Sequence, residues 1–399
     1  MKNPELITIA GTRPELIKLS RFIQLMRENN GGGHSHALLY TGQHYSANMK
    51  DIFFDELGIE AADYDLKSNT SDVGQLKGGI LSLLERIRPR YVILYGDTNS
   101  TMAGALAAQE IGAGLIHIEA GIRDFDLTIP EERVRIYIDS VSDHLLAPTE
   151  LARTFLEYEQ VQGRIAVPGN LISDVCTRMA ELAEEKERRL PEGGSSLPGE
   201  YLLLTMHRQE NVDDPDRLLL LRKHLGTIKD RVVFPVHPRT RNNLARYGIS
   251  LPENVVLIDA VGYLEFLRLL KNCKLVMTDS GGVTEEAMIL KKPCITLRHS
   301  TARWETILMK ANVLFPLERK DPLGDVIEQM LQVRITGNPY GTDVAEKTVR
   351  LVNEIASPSS SSPSHSPSYT KRERGAEGEP IGPISPPGSP RLGAGHQSP

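Results

Sequence analysis

Three carboxylates stand where a carboxylate is costly. Asp97 follows the apolar run YVILYG, and Glu119 ends LIHIE. Glu131 follows Pro130 within HIEAGIRDFDLTIPEERVR, residues 117–135. A charged group closing an apolar run costs free energy unless it is paired or functional. Taken singly, each has a structural reason to be there. Asp97 can cap the helix that follows it. Glu131 and Glu132 suit the positive end of the helix that Pro130 begins. Together, at the ends of neighbouring strand–helix units, they suit proton transfer, which needs an acid and a base placed around one substrate.

A second set of residues suits an anion. His207 and Arg208 follow YLLLTM, and His237, Arg239 and Arg241 follow RVVFPV. Two His–Arg clusters at successive strand ends make a phosphate-facing wall. Ser280, Gly281 and Gly282 follow KLVMTD and lead into Glu285 and Glu286. Backbone N–H groups there can approach a phosphate closely, and one of the two glutamates could accept both ribose hydroxyls. In GTRPELIK, the amides of the helix start beside Arg13 would receive an anion, or Arg13 is an ordinary surface residue. There is no G-x-G-x-x-G, no G-x-x-x-x-G-K-[ST] and no zinc spacing. The expected ligand is a nucleotide diphosphate, with no metal dependence visible in the sequence.

The elements that must position these groups alternate regularly. LITIA (6–10), HALLYTG (36–42), YVILYG (91–96) and LIHIE (115–119) read as strands, with helical patterns between them, one over residues 48–57. The pattern pauses at the Gly/Pro/Ser stretch PEGGSSLPGE. It resumes with YLLLTM (201–206), RVVFPV (231–236), NVVLID (254–259), KLVMTD (274–279) and PCITL (293–297). Short strands alternating with helices predict an α/β chain with mainly parallel sheets, here two in succession with a boundary near 170–200. Residues 357–399 are rich in Ser, Pro and Gly, cannot bury enough apolar surface to offset ordering, and are expected to be a disordered tail.

The bulk properties agree. The chain has 399 residues, 40% hydrophobic and 25% charged, which fits two globular domains. A net charge of −6 offers no field for nucleic acid. Cys176, Cys273 and Cys294 are too few and scattered for a disulfide framework and read as buried thiols. No apolar run approaches the length of a signal-peptide core or a membrane span, so a cytoplasmic protein with no membrane partner is expected.

Taken in order, GTRPELIK, TGQHYSANM, YGDTNSTMAGALAA, HIEAGIR, PEERVR, LTMHRQENVDD, PVHPRTR, VGYLEFLRLL and TDSGGVTEEA resemble the non-hydrolysing UDP-N-acetylglucosamine 2-epimerases, from about Leu6 to about Leu351. The resemblance implies a glycosyltransferase-B-like fold. Two Rossmann-like domains with parallel sheets would face a central cleft, residues 1–172 carrying the carboxylates and 173–342 binding UDP. A C-terminal helix, DVAEKTVRLVNEI (343–355), would return to the first domain. It implies a homodimer, a UDP-sugar substrate, no cofactor, and interconversion of UDP-GlcNAc with UDP-ManNAc by elimination of UDP to a bound 2-acetamidoglucal and re-addition. Asp97, Glu119, Glu131 and His207 match the family's catalytic residues. Arg13, Lys18, Arg135, His237, Ser280, Gly281, Gly282 and Glu286 match positions lining the nucleotide-sugar site, with Glu286 at the ribose. Val134, Thr284, Ala302 and Trp304 depart from the family pattern and are expected to retune the sugar pocket. Gln209 replaces an arginine found in members activated by substrate, although Gln43 and His44 remain, so weak or absent activation is expected. The alternatives are a glycosyltransferase or hydrolysing epimerase of the same fold, or a nucleotide-sugar binder without turnover.

Overall fold

The computed structural model describes residues 3–28, 34–43, 61–185 and 199–357. The expected helix at 48–57, His44 and the tail beyond Ser357 lie outside the described residues, as does most of PEGGSSLPGE. Two sheets are present, and every strand pairing in them is parallel.

The first sheet holds β1 (Leu6–Ala10), β2 (His36–Tyr40), β3 (Tyr64–Asp65), β4 (Tyr91–Tyr95), β5 (Gly114–Ile118), β6 (His144–Leu146) and β7 (Arg164–Ala166), in the order β3-β2-β1-β4-β5-β6-β7. The second holds β8 (Leu202–Thr205), β9 (Val232–Pro235), β10 (Val255–Ile258), β11 (Val276–Thr278), β12 (Cys294–Thr296) and β13 (Asn312–Leu314), in the order β10-β9-β8-β11-β12-β13. Helices cover both faces of such sheets, so central strands read as unbroken apolar runs. All five residues of LITIA are buried. Each sheet reverses its strand order once, between β1 and β4 and between β8 and β11. Ligands of open parallel sheets bind outside the carboxyl ends of the strands at such reversals. Arg13 and Asp97 follow β1 and β4; His207 and Ser280 follow β8 and β11.

The helix Ile172–Glu185 carries the chain from the first sheet to the second, and its Val175, Cys176 and Met179 share one buried apolar cluster with residues of both sheets. The chain returns beside this crossing. Asn170 N donates to Tyr340 O (2.9 Å), and Ser173 Oγ to Gly341 O (2.7 Å). Gly169 has φ +118°, and a Cβ there would lie 2.5 Å from the Tyr340 carbonyl oxygen, so only glycine fits between the two passes. The final helix, Val344–Ala356, packs on the helix Arg13–Glu28, with Arg21 paired to Glu346 at 3.2 Å. It is the returning helix that the resemblance implies. All three cysteines are free and buried. No helix among the described residues is long and apolar enough to cross a membrane.

Candidate active site

The loop after β1 is built around a glutamate. Glu15 reaches back from the first helical turn to the N–H groups of Gly11 (2.9 Å) and Thr12 (2.7 Å), and takes the Thr12 and Thr98 hydroxyls at 2.8 and 2.9 Å. The expectation that these amides receive an anion is therefore corrected: the chain's own carboxylate fills that place, as the helix-start glutamate does in a capping box. Burial raises the pKa of Glu15 against all of these donors. Gly11 is required here because a Cβ would lie 2.0 Å from Ser100 Oγ. Arg13 stands half-buried at the first helical position. Gln43 accepts the Ser100 hydroxyl at 3.1 Å and so belongs to the packing beneath this loop.

After β4, Thr98 and not Asp97 caps the next helix, in a capping box with Thr101. Asp97 is thereby released from the simpler structural role and pairs with Arg135 Nε at 2.8 Å. Arg135 also holds Glu132 at 2.9 Å. Glu132, in turn, accepts the N–H groups of Asp124 and Phe125 at 2.9 Å each, so it organises the β5 loop. Its neighbour Glu131 is half-buried and has no ion-pair partner among the described residues. One residue along a helix turns the side chain by about 100°. That difference separates a structural glutamate from one left available.

The β5 loop is strained where it carries its carboxylate. Glu119, Gly121 and Phe125 all have left-handed φ, +71°, +80° and +63°. A non-glycine residue in that region costs on the order of 1–3 kcal/mol, and such costs collect at functional sites. Asp139 supports the turn from below. It accepts Gly121 N–H at 3.0 Å, lies 2.7 Å from His117 Nδ1, and pairs with buried Arg123 at 2.7 Å.

Glu119 is the centre of a charged set spanning both halves. Lys18 Nζ lies 3.1 Å from Glu119 and 3.0 Å from Glu285. Arg303 repeats the bridge, 3.0 Å from Glu119 and 2.6 Å from Glu285. Tyr95 donates its hydroxyl to Glu119, and Asn170 Nδ2 donates to Glu285 at 2.9 Å. Burial opposes charge on Glu119, but Lys18, Arg303 and Tyr95 overrule it and hold its pKa down at about 2. Burial likewise opposes charge on Lys18, and the two glutamates keep it protonated. Burial and the neighbouring Glu119 raise Tyr95, which stays a donor. Glu119 is thus a buried anion between two cations.

The second sheet supplies the other wall. Asp279, fully buried after β11, accepts the N–H groups of His207 (3.1 Å) and Arg208 (2.9 Å), and lies 3.3 Å from His207 Nδ1. The His207 and His237 rings are 5.8 Å apart, and burial with His207 and Arg239 nearby lowers the His237 pKa. Ser280 caps the helix Gly281–Ile289 through Val283 N–H. A Cβ on Gly281 would come 3.9 Å from the Arg303 guanidinium, so this turn faces the charged set directly. Glu285 on that helix points into the set. Glu286, one residue on, lies beside Tyr263, and burial pushes its pKa up to about 7. Arg239 and Arg241 are engaged with Asp213 and Asp259.

The described chain therefore ties Lys18 and Glu119 of the first half to Glu285 and Arg303 of the second, with Gly281 beside Arg303 and Asp97 paired to Arg135, while His207 and His237 stand next to each other after β8 and β9. Sequence reasoning missed Arg303, Tyr95 and Asp279. Arg303 stands between two of the departures, Ala302 and Trp304, and had no other signal in the sequence. Of the four departures, Ala302 is half-buried with no side-chain polar group to place, and the other three make distinct contacts. Val134 packs on the first-sheet core, and Thr284 is buried with its hydroxyl on Ser280 O at 3.0 Å. Trp304 reaches across to the β5 loop.

Comparisons with known proteins identify the family. A family model described as UDP-N-acetylglucosamine 2-epimerase matches residues 27–353. The UDP-N-acetylglucosamine 2-epimerase of Methanocaldococcus jannaschii is 40% identical over 364 residues, covering 87% of this chain and 98% of that protein. The UDP-2,3-diacetamido-2,3-dideoxy-D-glucuronate 2-epimerase of Pseudomonas aeruginosa is 41% identical over 320 residues, covering 78% of this chain and 88% of that protein. The crystal structure of the M. jannaschii UDP-GlcNAc 2-epimerase in complex with UDP-GlcNAc and UDP superimposes with a TM-score of 0.78 at 38% identity, covering 89% of this chain and 100% of that one.

Proposed function

The chain belongs to the UDP-N-acetylglucosamine 2-epimerase family, and from that premise we propose that its cleft interconverts UDP-GlcNAc and UDP-ManNAc. The observation that carries the reading is the doubled bridge. Lys18 and Arg303 each link Glu119, at the end of β5, to Glu285, on the helix that Ser280 caps. The groups we read as proton-transfer carboxylates and diphosphate cations lie beside the strand-order reversals of the two sheets.

The C2 hydrogen of the sugar is not beside a carbonyl and resists direct removal. Departure of UDP from C1 leaves an oxocarbenium-like centre that acidifies it. A base takes the C2 proton, the C1–C2 double bond forms, and a 2-acetamidoglucal stays beside UDP. Re-addition returns the proton to the other face of C2 and UDP to C1. This requires acid and base groups around one carbon, the role we give to Asp97, Glu119 and Glu131. It also requires fixed donors for the departing diphosphate, the role of Arg13, Lys18, Arg135, His207, His237 and the Ser280–Gly282 turn. Glu286 is read as the ribose-holding carboxylate. A diphosphate entering the cleft competes with Glu119 and Glu285 for Lys18 and Arg303, which frees Glu119 for the sugar.

Proton NMR of UDP-GlcNAc with the protein in D₂O tests this. UDP-ManNAc should accumulate with deuterium at C2; product without deuterium overturns the elimination. The Pseudomonas relative favours a second substrate for the same reaction, a UDP-2,3-diacetamido uronate, and kcat/KM for the two sugars decides between them. We read residues 1–172 with the helix 343–355 as the acid/base domain, and 173–342 as the UDP-binding domain, of a cytoplasmic homodimer.

A further inference from the structure

Three consecutive residues of the second half each hold a loop of the first. Arg303 pairs with Glu119 at 3.0 Å. Trp304 donates its indole N–H to the Arg123 carbonyl at 3.0 Å. Glu305 accepts the Thr149 hydroxyl at 2.6 Å. The Trp304 ring also lies 6.3 Å from the ring of Phe125, which packs edge-on against Phe155 at 5.0 Å. Arg298 adds a longer ion pair to Asp124 at 3.7 Å.

Arg303 cannot serve a diphosphate and keep both its carboxylates. Glu132 and Asp139 hold the β5 loop from within the first half; when Arg303 turns to the diphosphate, a neighbouring uncharged contact can still fasten that loop to the second half. Trp304 supplies it. Its partner, the Arg123 carbonyl, lies four residues after Glu119 in a loop already strained at Glu119 and Phe125. An uncharged hydrogen bond between a side chain and a backbone carbonyl is indifferent to the charge entering the cleft.

The geometry points to Trp304 as a positioning residue for the epimerisation. It fastens the Glu119–Phe125 loop to the Arg303–Leu308 segment, so that closing the two halves brings Glu119 to C2 in a fixed orientation and keeps water from the glucal. This rests on the epimerase reading above. Trp304 touches no reacting atom and acts through the loop.

The experiment is steady-state kinetics of the full chain and of Trp304→Phe and Trp304→Ala. Phenylalanine keeps a ring for Phe125 but loses the N–H. We expect kcat to fall about fivefold, the effect of one neutral hydrogen bond, with KM within about twofold. Alanine removes both contacts, and kcat should fall by about 10², the scale for a displaced reacting group. The alanine variant should also release free UDP and 2-acetamidoglucal in a larger share of turnovers, which a residue serving stability alone would not cause. Wild-type kcat in both variants overturns the proposal. So do equal losses in both variants that match a loss of thermal stability, with no added release of glucal. Trp304 is also the only tryptophan of the chain, so its emission reports the cleft. If the wild-type chain turns over no UDP-GlcNAc, the reaction reading fails by itself. The placement of Trp304 is then decided separately: UDP that binds by calorimetry without altering the emission overturns it.

Discussion

Lys18, Arg303, Glu119 and Glu285 form a buried set whose formal charges sum to zero, and a double-mutant cycle on it tests the architecture of the cleft. Glu119→Gln leaves one positive charge uncompensated. Lys18→Met leaves one negative charge. The double variant restores neutrality, with Arg303 still 2.6 Å from Glu285. The Glu119 pKa falls from 4.5 to about 2 in the folded chain. At about 1.36 kcal/mol per unit, this corresponds to a net preference for the ionised form, burial cost included, on the order of 3 kcal/mol, the same scale as the roughly 3–5 kcal/mol lost when one partner of a buried pair is removed. Each single variant should therefore lose about 3 kcal/mol at pH 7. The double variant should lose little more than either, a coupling of about 2 kcal/mol or greater. Urea unfolding followed by far-UV circular dichroism and by Trp304 emission gives the free energies where the two transitions coincide. The pH dependence has a definite sign. A carboxylate with a depressed pKa stabilises the fold above its ordinary value and loses that contribution as pH falls toward its folded value. The Glu119→Gln penalty should be flat from pH 5 to 8, on the scale of ordinary carboxylate pKa values of about 4–4.5, and should shrink as pH falls from 4.5 toward about 2. Additive single variants, or a penalty unchanged on acidification, would refute the reasoning.

Further outcomes follow from the same coordinates. Glu119→Gln and Asp97→Asn should each lower kcat by about 10² or more, the scale of a lost acid or base; near-normal turnover in both removes them from the chemistry. Glu286, with its pKa raised by burial to about 7, offers both oxygens as strong acceptors for two ribose hydroxyls only when ionised. Affinity for UDP-GlcNAc should therefore rise with pH from 6 to 8, and calorimetry should show the slope vanish in Glu286→Gln; an undiminished slope assigns it to another group. Gly11→Ala forces a Cβ to 2.0 Å from Ser100 Oγ and 2.8 Å from Thr41 Oγ1. It should cost about 1–3 kcal/mol by overpacking, and an unchanged melting temperature would show that the β1 loop gives way freely.

The central strands were legible because burial on both faces leaves a continuous apolar run, as in LITIA and YVILY. The strands Tyr64–Asp65, His144–Leu146, Arg164–Ala166 and Asn312–Leu314 were not, since two or three residues carry no periodicity to read. At the site, polar residues directly after apolar runs announced themselves, and Asp97, Glu119, His207 and Ser280 all lie at carboxyl ends of strands around the two reversals. What spacing could not decide was rotation about a helix. Glu131 and Glu132 are adjacent letters, yet only Glu132 is spent on the β5 loop. Glu285 and Glu286 are adjacent as well, yet Glu285 alone meets Lys18 and Arg303. Tyr95 hid as the last letter of an apolar strand. Arg303 acts on Glu119 from 184 residues away, a pairing that only the closed fold makes.

Three buried glutamates show why the cleft needs two halves. Glu15 receives hydroxyl and amide donors but no cation among the described residues, and burial raises its pKa. Glu286 has a tyrosine hydroxyl and a like charge beside it, and burial carries it to about 7. Glu119 is no more exposed than Glu286 by any useful margin, yet it sits at about 2. The difference is the pair of cations, one from each half. Full ionisation of Glu119 is therefore conferred by Lys18 and Arg303, and its basicity is set by how much of their charge it keeps. A diphosphate that draws Lys18 and Arg303 toward itself weakens that hold and moves the Glu119 pKa upward, toward the range in which a carboxylate is an effective base. On the role proposed for Glu119, binding of the leaving group and activation of the base are one electrostatic event. This requires the acids and the anion grip to share their cations across the gap, an arrangement that a single sheet with its own internally paired charges would not provide.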